Sequence, residues 1–259
     1  MKNHRRKFIK NTLAATAAIS IVGMMPACAG EKTKATHETD EKIMKKLVLK
    51  EIDHTGPLDM DMAEKLLENH AETQVVETIN WAAYPYKPEV KFKMAYHQDQ
   101  ILLKYYVSEE NILAKETRVN GRVHKDSCVE FFISTAGNDT YYNFEFSCIG
   151  IPHVGYGEAR TNRVLIDPKI LKLIRVKSSL GEEPFEEKTG GHQWEIMIVI
   201  PKECLLYDPN IVLKGLKAKA NFYKCGDDTS QPHFVSWNPV GTQKPDYHQP
   251  AYFGEILFE

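Results

Sequence analysis

Short runs of hydrophobic residues, each bounded by turn-forming residues, recur along the chain from about residue 46 onward. Runs of this length that are rich in β-branched and aromatic residues predict strands. Ten such runs are present: Leu47–Ile52, Val75–Ile79, Val90–Tyr96, Ile101–Val107, Ser127–Ser134, Tyr141–Cys148, Ile170–Lys177, Trp194–Ile200, Leu216–Tyr223 and Phe253–Phe258. Trp194 alternates in phase with isoleucines along its run, which predicts a core position for it.

Helical spacing is rare in this chain. Met60 to His70 reads as one helix with Asp59 as its N-cap, and a second short helix is expected over Lys202–Leu206, after Pro201. Because no helix of crossover length separates the predicted strands, the pattern favours antiparallel pairing over βαβ units. We therefore expect an all-β fold, a single antiparallel β-sandwich of the jelly-roll kind with one or two short helices.

One hairpin can be placed in register from the sequence alone. A two-residue turn at Gly137-Asn138 pairs Ser127–Ser134 with Tyr141–Cys148, so that the numbers of opposed residues sum to 275. One face is then wholly apolar and belongs to the core. The other face carries Cys128 opposite Ser147, Glu130 opposite Glu145, and Phe132 opposite Asn143. Cys128 and Cys148 fall on opposite faces, so we expect no disulfide between them.

Two carboxylates side by side in the middle of a sheet need compensation, because directly opposed like charges are destabilising. Four readings of Glu130 and Glu145 are open. A basic side chain bridges them, the nearby candidates being Arg118, Arg122, Arg160 and Arg163. Alternatively, they accept hydrogen bonds from a ligand's hydroxyl groups, bind Ca²⁺, or act as the acid pair of a retaining glycosidase, whose carboxyl groups lie about 5 Å apart.

The composition is that of a soluble globular protein, with 42% hydrophobic and 26% charged residues. The net charge of −2 is unevenly distributed, since residues 1–27 hold five basic residues and no acidic one. The remainder has 28 Lys and Arg against 35 Asp and Glu, without a basic stripe, which argues against nucleic acid as a partner.

The first 27 residues have the features of an export signal. Paired arginines precede an apolar stretch, Leu13 to Met25, which is too short to span a bilayer. The end of this segment resembles a lipobox, so we expect cleavage before Cys28 and lipidation of that cysteine. Residues 28–45 read as a polar tether and 46–259 as the sandwich domain. The expected location is the periplasm or outer membrane, with membrane contact only through the lipid.

Four cysteines remain after Cys28, and none shows C-x-x-C spacing. A zinc site or a thioredoxin-type motif is therefore not indicated. The histidines show no i, i+4 pair, and nucleophile-elbow, P-loop and dinucleotide-binding motifs are all missing from the sequence.

The order of several fragments resembles family 9 carbohydrate-binding modules. These fragments are Asp126-Ser127-Cys128-Val129-Glu130, Tyr142-Asn143-Phe144-Glu145-Phe146, Trp194-Glu195-Ile196, Val235-Ser236-Trp237 and Phe253-Gly254-Glu255. The resemblance runs from about Trp81 to the C-terminus. It implies a β-sandwich that binds plant polysaccharides or oligosaccharides such as xylan, accompanies polysaccharide-degrading enzymes, and in many members carries structural Ca²⁺.

The resemblance also implies positions in the site. The acid that contacts sugar hydroxyls corresponds to Glu130, and the family's arginine position falls on Glu145, a reversal of charge. The two aromatic residues that hold a sugar ring correspond to His124 (or Val123) and to Tyr247. With Asn143, which shares the carboxylate face, and Trp237, in a Pro-containing loop, these residues make up the predicted carbohydrate-binding site.

Three functions follow from these observations. The first is carbohydrate binding with an accessory role in glycan capture or degradation. The second is glycoside hydrolysis or a related activity, with Glu130 and Glu145 as catalytic residues. The third is haem binding in a sandwich, for which Met94, Met197 and the histidines supply candidate ligands.

Overall fold

The computed structural model describes residues 44–259. The predicted signal peptide, Cys28 and all of the predicted tether except its last two residues lie outside the described residues. Two α-helices are present in the described part, α1 over Met60–His70 and α2 over Pro168–Leu171. Asp59 caps α1 by accepting a hydrogen bond from the backbone N–H of Met62 at 2.8 Å, which confirms the predicted start of this helix.

Strands make up most of the described residues. In chain order they are β1 Lys46–Leu49, β2 Thr73–Val75, β3 Thr78–Ile79, β4 Glu89–His97, β5 Gln100–Ala114, β6 Cys128–Ser134, β7 Tyr141–Ser147, β8 Pro152–Gly157, β9 Val164–Leu165, β10 Arg175–Ser178, β11 Phe185–Pro201, β12 Lys217–Cys225, β13 Phe234–Ser236 and β14 Gly254–Phe258.

Two sheets form a sandwich, as the sequence predicts. The larger sheet has the order β1-β14-β12-β6-β7-β8-β9, and β13 pairs with both β12 and β3 at its margin. The smaller sheet has the order β10-β11-β5-β4-β2. Every strand pair in these sheets is antiparallel except β1 with β14. The fold is therefore an all-β sandwich of predominantly antiparallel strands.

Aromatic rings fill the space between the sheets. Phe222 of β12 stacks on Phe92 of β4 with ring centroids 3.9 Å apart, and Phe131 of β6 stacks on Phe222 at 5.1 Å. These three rings have no solvent exposure, and Trp194 of β11 is buried in the same core, which confirms its predicted position. The contact of Phe222 with Phe92 joins the two sheets, and burial of such large apolar surfaces holds the layers together.

The predicted hairpin register is correct throughout β6 and β7. Glu130 lies opposite Glu145, Cys128 opposite Ser147, and Phe132 is paired with Asn143. Gly137 adopts a φ of 68° in the connecting turn, a conformation that favours glycine. The two faces separate as expected, because Cys148 belongs to the core between the sheets and Cys128 to a cluster on the outer face.

Some predicted elements were wrong in type or length. The run Ile170–Lys177 is not one strand: its first two residues belong to α2, which Asp167 caps, and only its last three residues belong to β10. The predicted helix Lys202–Leu206 is a single 3-10 turn over Lys202–Cys204. Among residues 44–259, no helix is both long and apolar enough to cross a membrane.

Candidate functional site

A row of polar side chains crosses the outer face of the larger sheet. Strand pairing places Glu130 of β6 between Tyr223 of β12 and Glu145 of β7, and Glu145 in turn lies opposite His153 of β8. Side chains on one face of adjacent strands point in the same direction. The two carboxylates therefore stand side by side on the face that looks away from the other sheet.

An open cavity of about 510 Å³ lies over this row. That volume is within the range of small-molecule sites. Its walls come from five strands and from loops that fold over the sheet; the lining residues are Tyr84, His124, Glu130, Asn143, Glu145, His153, Arg160, Arg163, Cys225, Asp227, Phe234, Lys244, Pro245, Asp246, Tyr247 and His248. Five of the six predicted carbohydrate-binding residues are thus brought together, although they are up to 123 positions apart in sequence.

Trp237 is the predicted site residue that lies elsewhere. Its side chain is 1% exposed and packs edge-on against Phe222 in the core between the sheets. The sequence placed it in a loop, but it follows directly on β13, a strand that pairs with β12 and fixes the direction of the tryptophan. The prediction that Trp237 walls the ligand is corrected accordingly.

Arg163 reaches the carboxylate pair only through an amide. Its Nε donates to Asn143 Oδ1 at 2.8 Å, and Asn143 Nδ2 donates to Glu145 Oε1 at 2.8 Å. Gly155, opposite Asn143, permits this close approach: a Cβ there would lie 2.8 Å from Asn143 Oδ1 and 3.3 Å from Arg163 Nε. The guanidinium also lies over the Tyr141 ring at 4.3 Å.

Two of the other arginines proposed as bridges have different side-chain partners. Arg118 pairs with Glu116 at 2.8 Å, and Arg160 pairs with Asp246 at 3.0 Å. Within residues 44–259, no lysine or arginine donates a hydrogen bond to Glu130 or Glu145. In this part of the chain, the charges of Glu130 and Glu145 are therefore not compensated directly by a lysine or arginine side chain.

Glu130 and Glu145 are buried, with exposed fractions of 3% and 5%. Burial, and then the charge of Glu145, raise the pKa of Glu130 well above its ordinary value. Glu130 Oε1 accepts a hydrogen bond from Cys225 Sγ at 3.1 Å. Glu145 Oε2 is buried with no hydrogen-bond partner in the described part of the chain, and His124 Nδ1 is 3.9 Å away from it. A buried oxygen without a donor costs stability unless a ligand satisfies it.

Asp227 brings a third carboxylate to the cavity. It follows β12 directly, and its Oδ1 is also buried without a partner among the residues described. Burial is the main cause that raises the pKa of Asp227 to about 6, with the charge on Glu145 acting in the same direction. The cavity thus holds two unsatisfied acceptor oxygens from two different segments.

Aromatic rings form one wall of the cavity. Tyr247 stacks on Tyr223 with centroids 4.0 Å apart, and its side chain is 6% exposed, so little of its ring faces the cavity. Tyr84 and Phe234 are half-buried and meet edge-to-face at 4.8 Å. These two rings offer more apolar surface to a ligand than Tyr247 does.

The cluster of potential metal ligands beside the carboxylate pair does not fit Ca²⁺. In the part of the chain that the structure describes, Cys128, Glu130 and Cys225 are the group whose ligand atoms lie within 4.8 Å of one another. Ca²⁺ takes six to eight oxygen ligands, whereas this group offers two sulfurs. The structure does not support haem binding through the two methionines either, because Met94 and Met197 are buried in two separate hydrophobic clusters.

Arg163, Asp227, Tyr84 and Phe234 are among the cavity residues that the predicted carbohydrate-binding set does not include. Asp227 carried a signal, since the acidic pair Asp227-Asp228 lies a few residues after the predicted strand Leu216–Tyr223. Tyr84 lies in the ring-rich stretch after Trp81, but nothing in that stretch indicates which ring faces a cavity. Arg163 was considered as a direct bridge, and its actual position depends on the pairing of β8.

The chain is similar in sequence and in fold to known carbohydrate-binding proteins. Residues 61–258 match the sequence model described as carbohydrate-binding family 9. A candidate carbohydrate-binding protein from Bacteroides uniformis is 41% identical over 83% of this chain and 100% of its own, with a TM-score of 0.80. No curated protein matches the chain.

Two solved structures of a family 9 module from Caldicellulosiruptor kristjanssonii share the fold at lower identity. The complex with cellotriose is 13% identical, covers 83% of this chain and 94% of that one, and has a TM-score of 0.51. The complex with glucose is 12% identical over 83% and 96% of the two chains, with a TM-score of 0.50.

Proposed function

The chain belongs to carbohydrate-binding family 9, and from that membership we propose that it holds a saccharide ring in the cavity over Glu130 and Glu145. One observation carries the placement: Glu145 and Asp227 line an open cavity, and one buried carboxylate oxygen of each, Glu145 Oε2 and Asp227 Oδ1, lacks a donor in residues 44–259. Sugar hydroxyl groups donate hydrogen bonds. Bonds to charged acceptors are stronger than those between neutral groups, so these oxygens are suitable anchors.

The cavity walls match the two surfaces of a pyranose. The carboxylates at the floor face the hydroxyl edge, while Tyr84 and Phe234 at the wall offer apolar area to the C–H face. Burial and the charge of Glu145 raise the pKa of Glu130, which favours its neutral carboxyl form, a group that can both donate and accept a hydrogen bond. The arrangement combines a few placed polar groups with an apolar wall, as small-molecule sites commonly do.

For the ligand we propose a plant-derived oligosaccharide or polysaccharide chain. The related modules from Caldicellulosiruptor kristjanssonii were solved with cellotriose and with glucose, which makes gluco-configured sugars the first class to test. Xylo-oligosaccharides are the second class, because the family resemblance implies xylan. In this proposal the protein captures glycan for polysaccharide-degrading enzymes.

The test is isothermal titration of the described domain with glucose, cello-oligosaccharides and xylo-oligosaccharides. Glu145→Gln removes the charge of an anchor oxygen and is expected to weaken binding of the best ligand at least tenfold, as loss of a charge-assisted hydrogen bond does. Glu255→Gln on β14 is the matched control, since Glu255 is exposed on the same sheet and pairs with Lys46. Its affinity should equal that of the unchanged protein.

Two results would contradict the proposal. If Glu145→Gln changes the melting temperature but leaves affinity unaltered, the carboxylate pair is structural and the ligand lies elsewhere. If incubation with plant glycans produces new reducing ends, and Glu130→Gln abolishes them, the hydrolase alternative replaces the binding role. The same glycans serve both experiments, so the two activities are compared under one set of conditions.

We further propose that the protein is exported and anchored by a lipid on Cys28. The support is the charged start, the short apolar stretch and the lipobox-like end of residues 1–27. Mass spectrometry of the N-terminal peptide from native membranes is expected to give a diacylglyceryl-modified Cys28. An unmodified N-terminus at Gly30 would indicate ordinary secretion instead.

A further inference from the structure

Cys128 and Cys225 face each other at the edge of the cavity. They are direct register partners in the antiparallel pair β6–β12, where opposed Cα atoms lie about 4.5 to 5.5 Å apart. A disulfide needs a Cα separation of about 4.4 to 6.8 Å, so the backbone already meets that requirement. The Sγ atoms are within 4.8 Å of each other and both are free thiols. Side-chain rotation, without strand movement, would bring them into bonding distance.

The other two cysteines of the described chain are occupied elsewhere. Cys148 lies in the core between the sheets and its Sγ contacts the carbonyl oxygen of Leu113 at 3.6 Å. Cys204 belongs to the same core, in a 3-10 turn, and contacts the carbonyl oxygen of Ile170 at 3.8 Å. Neither is a register partner of another cysteine in the sheet. Of the possible pairings, only Cys128 with Cys225 has the two strands aligned for it.

Both thiols are enclosed in the folded protein. Cys225 lines the cavity, where its Sγ donates to Glu130 Oε1 at 3.1 Å, but it is only 1% exposed and Cys128 is 0% exposed. A disulfide reagent therefore reaches the pair while β6 and β12 are still open, during folding, and one thiol then resolves the mixed disulfide formed by the other. Once formed, the cross-link would be shielded from reductants by the same burial.

We propose that Cys128 and Cys225 form a cross-strand disulfide when the chain meets a disulfide-bearing oxidant. Both S–H bonds break, one Sγ–Sγ bond forms and two protons leave. The two electrons reduce the oxidant's disulfide to two thiols. The bond closes a loop of about 98 residues and ties β6 to β12 beneath the cavity. The closed loop lowers the conformational entropy of the unfolded chain and so stabilises the folded state. It also removes the thiol donor from Glu130 Oε1, leaving that oxygen to the cavity.

The test uses two samples of the domain, folded reduced protein and protein refolded from denaturant. Each sample is equilibrated in glutathione buffers of graded redox potential. After acid quench and alkylation, peptide mapping is expected to recover a Cys128–Cys225 cross-link from the refolded sample at oxidising potentials. The melting temperature of the cross-linked protein should exceed that of the reduced protein by on the order of 10 °C, as loop closure predicts for a domain of this size.

The controls separate this pair from the other thiols. Cys204→Ala should leave the cross-link and the temperature shift intact, whereas Cys225→Ala should abolish both. Recovery of both thiols alkylated after refolding at every potential would overturn the proposal. So would a different cross-link, or a bound metal ion that protects both thiols in native mass spectrometry. None of these readouts involves a saccharide, so the proposal stands or fails independently of glycan binding.

Discussion

Asp227→Asn should make the protein more stable near neutral pH. Burial raises the pKa of the Asp227 carboxyl to about 6, against 3.8 for the ordinary group, so the folded state binds its proton more tightly than the unfolded state. A group of this kind lowers the free energy of unfolding as the pH rises from about 4 to about 6, and the loss persists above that range. Over a difference of about two pKa units the loss is about 3 kcal/mol, and an asparagine avoids it.

The assay is urea unfolding followed by tryptophan fluorescence at several pH values. The gain in unfolding free energy of Asp227→Asn over the unchanged protein should be near zero at pH 3, grow between pH 4 and 6, and level off at about 3 kcal/mol by pH 7. Asp228→Asn is the matched control, because Asp228 is exposed and pairs with Lys125 at 2.8 Å. Its effect should stay within about 1 kcal/mol at every pH.

The same variant should lose affinity for the glycan, since Asp227 Oδ1 is one of the two unsatisfied anchors of the cavity. A stabilising change that impairs binding identifies a residue retained for function at the expense of stability. Equal destabilisation of the domain by Asp227→Asn at all pH values would contradict the predicted stabilisation. That result would mean that the carboxylate is satisfied by the fold and is not reserved for a ligand.

Three other substitutions test the site and, on the smaller sheet, the rest of the fold. Arg163→Met should lower the unfolding free energy by about 2 to 4 kcal/mol in urea titrations, because it leaves Asn143 Oδ1 and several carbonyl oxygens without their donor. A loss below about 1 kcal/mol would contradict this prediction. Lys104→Met should lower the unfolding free energy by about 2 to 3 kcal/mol in the same assay, since the buried ammonium pairs with three carboxylates, two on α1 and one on the smaller sheet. An unchanged unfolding midpoint would contradict this prediction. Tyr84→Ala should weaken glycan binding about three- to tenfold in calorimetry with little change in melting temperature, and equal affinity would remove Tyr84 from the ligand wall.

The sheet and hairpin were predictable because their information is local. Alternation along β6 and β7, together with a turn that needs the positive φ of Gly137, determines both the register and which carboxylates meet. The capping of α1 by Asp59 is local in the same way. These features need only neighbouring residues, and the structure agrees with the sequence on all of them.

The remainder of the site depends on contacts between distant segments. Trp237 was misplaced because alternation in the three-residue β13 is too short to tell which face a following side chain takes. The role of Arg163 depends on the glycine at position 155, which lets the guanidinium reach an amide 20 residues away. No local pattern in the sequence contains either fact.

The most direct test of the carbohydrate site is a crystal structure of residues 44–259 with the tightest-binding saccharide. We predict one sugar ring in the cavity, with hydroxyl groups within hydrogen-bonding distance of Glu145 Oε2 and Asp227 Oδ1 and a C–H face against Tyr84 or Phe234. A ligand bound instead on the smaller sheet, in the shallower cavity of about 300 Å³ beside Tyr106 and Trp194, would contradict it.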